Sequence, residues 1–278
     1  MKTLVSLAGL LIASSVSAKE YCEYTKSLDF SADAAALNEL DLSAGAGSLT
    51  ILGVPNATQV NVTATACASS QKRLDNLFLD QRVQGRALKV ETRQEKSAWS
   101  WGNNSYASIT LEIQVPEHFS VMVNDGSGQA TISQVASLEI EDGSGSLTIN
   151  EISGQVSVED GSGDLNLSQI GGKILISDGS GGIRVTDAEA DVFIEEDGSG
   201  GITIRNVLAN VMIEEDGSGS IDIREVAGDV YIEEDASGSI QIADVRGSFT
   251  VDRDSNGGIS HKNVAGDVSI PEDSKRRH

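Results

Sequence analysis

Asp216-Gly217-Ser218-Gly219-Ser220-Ile221-Asp222-Ile223-Arg224-Glu225-Val226-Ala227-Gly228-Asp229-Val230-Tyr231-Ile232-Glu233-Glu234 is one copy of a sentence that this chain writes eight times. The copies begin at Asp125, Asp142, Asp160, Asp178, Asp197, Asp216, Asp235 and Asp254, so the steps are 17, 18, 18, 19, 19, 19 and 19 residues. A period this short and regular marks a solenoid. Inside the copy, Ile221 and Ile223 alternate with Ser220 and Asp222, and Val230 and Ile232 alternate with Asp229, Tyr231 and Glu233. Period-two alternation of β-branched against polar residues makes two short strands, each with one face to bury. Neither strand can bury that face alone, so the copies stack, each strand pairing with its equivalent about 4.8 Å away.

Stacking turns equivalent residues into ladders. One is Leu147, Leu165, Ile183, Ile202, Ile221, Ile240 and Ile259, and a second is Val156, Ile174, Val192, Val211, Val230, Phe249 and Val268. These predict the core. The fold class is therefore all-β, a single β-solenoid of about ten coils with 17–19 residue repeats and irregular N-terminal coils. At the strand spacing it would be about 50 Å long.

The Asp-Gly-Ser-Gly step reads as a corner, because Asp can accept a backbone N–H two residues on and Gly tolerates positive φ. A second reading comes from Glu195-Glu196-Asp197, Glu214-Glu215-Asp216 and Glu233-Glu234-Asp235, which would stack carboxylate over carboxylate. Like charges at the coil spacing repel by about 0.9 kcal/mol even in water. Calcium would relieve that with oxygen ligands, although the nonapeptide calcium-binding pattern is absent and outward Arg184, Arg205, Arg224 and Lys262 offer another source of positive charge. The sequence requires no cofactor and leaves calcium open.

Residues 1–18 read as a signal peptide: Lys2, an apolar run from Leu4 to Ile12, and small residues ending at Val16 and Ala18. The run is too short to span a membrane, and Cys22 lacks the small-residue setting of a lipid-attachment site. Residues 19–124 read as irregular β coils that continue the solenoid and cap it, 125–271 as the regular repeats, and 272–278 as a charged tail. In the N-terminal part, Ala44 to Ile51 repeats the opening of a copy with Ala for Asp, Leu77 to Leu79 and Ala87 to Thr92 read as strands around a turn at Gln84-Gly85, and Ser108 to Pro116 alternates cleanly. The segment from Ser97 to Tyr106 holds Trp99 and Trp101, the aromatic cluster of an aromatic-poor chain, and reads as a loop covering an open end or a side of the core.

The formal net charge of −22 excludes nucleic-acid binding, which needs a basic footprint. Export to an oxidising compartment makes a disulfide between Cys22 and Cys67, the two cysteines present, the expected state. Closing that loop would stabilise the fold by about 4 kcal/mol in the chain-entropy picture. Catalysis needs a nucleophile with its base, a metal triad, or two carboxylates in different environments. Three scattered histidines, His118, His261 and His278, and carboxylates repeated identically in every coil assemble none of these, so no catalytic residues are expected. His261 stands where earlier copies carry a core Ile, as a polar residue on a half-covered terminal coil.

The serial Asp-Gly-Ser-Gly and Val-x-Gly-x-Val-x-Ile units, the Leu88-to-Val90 strand and the Ile113-to-Pro116 step together resemble the bacterial putative-adhesin family, a domain of unknown function found in exported proteins. The likeness spans roughly Leu40 to Ile270, and it implies a β-solenoid without established catalytic residues. Residues and resemblance together predict an exported, periplasmic or extracellular, non-enzymatic solenoid whose acidic repetitive surface serves adhesion to a protein or polysaccharide surface. Self-association and a periplasmic scaffold, envelope-associated and calcium-stabilised, are the alternatives.

Overall fold

A strand that alternates apolar and polar residues can close a core only against another such face, and the chain solves this with two sheets laid face to face. The computed structural model describes residues 22–95 and 105–272. In each regular copy one strand, such as Val156–Asp160, lies in the first sheet; the Asp-Gly-Ser-Gly corner crosses over, and the next strand, Leu165–Ile170, lies in the second. Successive copies pair in parallel and in register. The Leu147-to-Ile259 ladder is continuous through the second sheet, and the Val156-to-Val268 ladder through the first. Both point inward and are buried except at Val268, the terminal rung, which no further coil covers.

The change from an 18- to a 19-residue step has a local cause. Ile176 pairs with Ile194 but Ser177 pairs with Glu196, so Glu195 is an inserted residue in a β-bulge. Each later coil keeps the insertion, pairing Glu196, Glu215 and Glu234 in turn. At the first corner the backbones of successive coils touch: a Cβ on Gly181, at φ 141°, would sit 1.6 Å from the carbonyl oxygen of Gly163. The second corner uses left-handed residues that are not glycine, from Gln134 through Asp187 to Asn263.

The N-terminal part joins the same stack out of chain order. The coil formed by Glu39–Ala46 and Leu49–Val54 lies between the strands Ala87–Gln94 and Ala107–Pro116 on one side and Ser120–Ser127 and Ala130–Ser133 on the other. From Ser120 onward eight turns follow consecutively; the expected ten is reached only by adding these two inner layers, which the chain supplies in the order second, then first. Antiparallel strands close that end: Gln59–Ala68 pairs with Ala107–Pro116, and Leu77–Gln84 with Ala87–Gln94 about the turn at Gly85. The polar excursion after Cys67 holds a one-turn helix, Gln71–Leu74, capped by the Ser70 hydroxyl accepting from Arg73 N–H. Cys22 and Cys67 form a disulfide with Cα atoms 5.7 Å apart, tying the strand Tyr24–Ser27 to its partner Gln59–Ala68.

At the other end, His261 takes the register of Ile242 but is exposed, its ring 6.3 Å from that of Phe249. The segment expected to be a signal peptide, Trp99, Trp101 and the tail beyond Glu272 lie outside the described residues. Among those described, no helix is long and apolar enough to cross a membrane.

Candidate functional site

The corner Asp was expected to serve the turn, and in the structure it also enters the core layer. Asp125, Asp142, Asp160, Asp178, Asp197, Asp216 and Asp235 are 0 to 5% exposed and stack one above another on the inner side of the first sheet. The amide of the following glycine cannot serve the carboxylate freely, because it donates to the main-chain carbonyl of the Asp one coil earlier, as Gly161 does to Asp142 at 2.8 Å and Gly217 to Asp197 at 2.7 Å. The serine amide two residues on remains. It reaches Oδ1 of Asp160 and Asp178 at 3.1 Å, while their Oδ2 atoms, and both side-chain oxygens of Asp125, Asp142, Asp197, Asp216 and Asp235, are buried without a partner.

Buried carboxyls stacked at the coil spacing cannot all be ionised. Burial, and then the charge of adjacent aspartates, pushes Asp125, Asp160, Asp197 and Asp235 from the ordinary 3.8 up to about 6, and Asp216 up to about 7. Burial also raises Asp142 and Asp178, with the backbone amides of Gly143, Ser144, Gly179 and Ser180 acting against it. The ladder is thus a column of acids that retain protons well above the usual carboxylate range. An open groove of about 630 Å³ runs along this corner, bordered by Asp125, Asp142, Asp160 and Asp178 and by Glu141, Glu159 and Glu196.

The three Glu-Glu-Asp triplets do stack carboxylate over carboxylate, Glu196 with Glu215 and Glu234 and Asp197 with Asp216 and Asp235, but as separate columns. In each, the Asp faces the core while both Glu residues face solvent. The expected neutralisers also stand elsewhere: Arg205 and Arg224 follow the Asp-Gly-Ser-Gly corner, lie on the second sheet, and both pair with Asp222 there, at 2.9 and 2.7 Å. The cation that meets the glutamates is Arg253, which continues the Glu196, Glu215, Glu234 column and bonds Glu234 at 2.7 Å and Glu233 at 3.5 Å. Among the described residues no three His, Cys, Asp or Glu side chains converge as ligands of one metal ion. His118 packs its ring on Phe119.

The second corner carries a different column, Gln134, Glu151, Gln169, Asp187, Asn206, Glu225, Asp244 and Asn263. Here amides alternate with acids except at the adjacent acids Glu225 and Asp244, and they pair between coils: Gln134 donates to Glu151 at 2.7 Å, Asn206 to Asp187 at 2.6 Å and Asn263 to Asp244 at 2.8 Å. Beside it, side chains accept the backbone amide one coil on, as Asp191 accepts from Asn210 N–H and Asp229 from Ser248 N–H.

A serial corner, two parallel sheets and an antiparallel end are matched as one unit: residues 37–278 fit the family profile described as Toastrack DUF4097. The chain belongs to that family. Solved structures similar to this Toastrack chain include a "putative cell adhesion protein" of Clostridium sporogenes, 11% identical, covering 89% of this chain and 99% of its own, with a TM-score of 0.29. A "putative adhesin" of Bacteroides fragilis is 14% identical over 88% of this chain and 96% of its own, with a TM-score of 0.35. A "putative lipid binding protein" of Parabacteroides distasonis is 14% identical over 90% and 98%, with a TM-score of 0.32. No protein of curated function matches the sequence.

Sequence reasoning placed the corner Asp in every coil but missed that it is buried. The signal was present: Ile213-Glu214-Glu215-Asp216 carries one residue more than Ile176-Ser177-Asp178, and only a bulge returns the final Asp to the inner face.

Proposed function

We propose that this Toastrack chain is an exported, non-catalytic solenoid whose acidic, repetitive outer faces serve adhesion or surface interaction at the cell envelope. The observation that carries this reading is the in-register stacking of exposed side chains, which converts one short sequence into a long column of identical contacts. Such a column suits extended contact with a partner surface. The Cys22–Cys67 disulfide supports export, since such bonds persist in oxidising compartments. The non-catalytic part is supported by sameness: general acid–base pairs need two groups in unlike surroundings, and the buried aspartates share one environment coil after coil.

Protease shaving of intact native cells, followed by fractionation beside a periplasmic marker, tests the reading. Loss on shaving fits adhesion at the surface, and survival until the outer envelope is opened replaces adhesion by a periplasmic scaffold. Calcium stabilisation stands as a subsidiary proposal: the melting midpoint rises in millimolar calcium relative to EDTA, and an unchanged midpoint removes it.

A further inference from the structure

Resting on the interaction reading above, the outer side of the first sheet shows where a partner would sit and what it would carry. Outward positions there are mostly polar, as at Ser157 and Thr250. Between those two rungs, Leu175, Phe193, Met212 and Tyr231 follow one another in register on four successive coils. They point away from the core yet are apolar and half-buried. The result is an apolar strip about 14 Å long at the coil spacing. Along one margin, the bulged strand ends place two glutamates per coil. Glu195, Glu196, Glu214 and Glu215 are exposed and form no ion pair among the described residues.

The protein's own cations show what this surface holds. At one end the Lys173 ammonium lies 5.5 Å above the centre of the Phe193 ring, and at the other Arg253 bonds Glu233 and Glu234. A cation over an aromatic face and a guanidinium on paired carboxylates are both favourable contacts. Between those ends, the glutamates beside Phe193 and Met212 have no cation of their own. Tyr231 is already engaged, its hydroxyl donating to Asp252, and Phe193 carries Lys173, so the strip's middle offers ring edge, thioether and carboxylate. We propose that the Leu175–Tyr231 strip is a docking surface for a cationic polypeptide segment of a partner, its Lys and Arg heads on the glutamate margin and its aliphatic stems on the apolar rungs. Charge complementarity to a chain of net charge −22 selects this occupant over an acidic or neutral polymer.

The test uses the full disulfide-bonded chain and a fluorescent peptide of alternating lysine and leucine, with its glutamate–leucine counterpart as control, read by anisotropy. The expected result is binding of the lysine peptide alone, weakened by salt. It falls about tenfold or more in Phe193→Thr/Met212→Thr, which places at those rungs the residue already present at Thr250, and in Glu196→Gln/Glu215→Gln. Removing two charges at the second corner, by Glu151→Gln/Glu225→Gln, changes it by less than about twofold. Melting curves show that all variants fold. No binding of the lysine peptide, equal binding of both peptides, or equal loss in the second-corner variant overturns the proposal. So does an apolar variant that binds like the parent chain, or dependence of the signal on self-association in sedimentation. Should the strip fail while the shaving experiment still places the chain at the surface, the interaction reading stands and only this location is lost.

Discussion

The two corners of each coil handle polar side chains in opposite ways. At the second corner the column is exposed, alternates amide with acid at every rung but Glu225–Asp244, and bonds from coil to coil, as Asn206 does to Asp187. At the first corner the column is buried, repeats Asp seven times, and leaves most carboxyl oxygens without a partner. Water and alternation make the first arrangement tolerant. Burial without alternation makes the second dependent on protons, because a column of identical acids can be neutral only by holding them.

That dependence gives the largest expected effect. Asp125, Asp160, Asp197 and Asp235, with an ordinary value of 3.8, are pushed up to about 6 in the fold and Asp216 up to about 7, while Asp142 and Asp178 are raised by burial in the same direction. The folded state therefore binds more protons between those values, and the stability from this column is complete below the unfolded pKa and lost as pH rises through 6 to 7. Even at about 1 kcal/mol per carboxyl, the five acids pushed to about 6 or 7 sum to several kcal/mol. The midpoint of thermal unfolding should be at least about 10 °C higher at pH 5 than at pH 8. This window stays above the range where Asp29, lowered by the Ser27 hydroxyl and the Ala64 amide, would lose its own contribution on protonation. A midpoint that is flat or falls toward pH 5 would break the contrast between the corners.

Next in size is the backbone itself. Gly181→Ala forces a Cβ into the Gly163 carbonyl at positive φ and should cost about 3 kcal/mol or more in denaturant unfolding. Asp187→Gly, at the second corner of the same coil, should stay within about 1 kcal/mol, since losing its bond to Asn206 is offset by relief at φ 57°.

Asp197→Asn is a sharper instrument. It keeps the side chain's shape but removes one charge from the buried column, so it should stabilise the protein at pH 8 by about 1–2 kcal/mol and reduce the pH dependence of melting. Because the net charge of −22 also favours acidification through general self-repulsion, this variant separates the ladder from that background. The smallest effect is expected from Asn206→Asp, which places four acids in succession at the exposed corner, since Asp187 precedes it and Glu225 and Asp244 follow. It should cost about 0.5 kcal/mol, recovered in high salt.

Much of this was legible in the chain. The Leu147-to-Ile259 ladder, the corner and the disulfide partners follow from period-two alternation, regular spacing and a cysteine count of two. The candidate site was read less well, because Glu195, Glu196 and Asp197 look alike in sequence and only the bulge sends the third inward. The out-of-order coil at Glu39–Val54 was hidden for a related reason: its residues match a copy, but pairing on both sides depends on strands from Ala87 and from Ser120 that lie far along the chain.

The sequence by itself determined that this protein is a stack of two-strand coils, since no other arrangement buries the alternating faces of eight near-identical copies. It also determined the formal net charge of −22, because charge is composition. Tertiary structure alone decided which acids are inside, which cations reach the glutamates, and which apolar residues face outward as a strip. The physical reason is that side-chain direction flips with each residue of strand, so the position of a single bulge in each coil decides which of three adjacent acids faces the core and which face solvent.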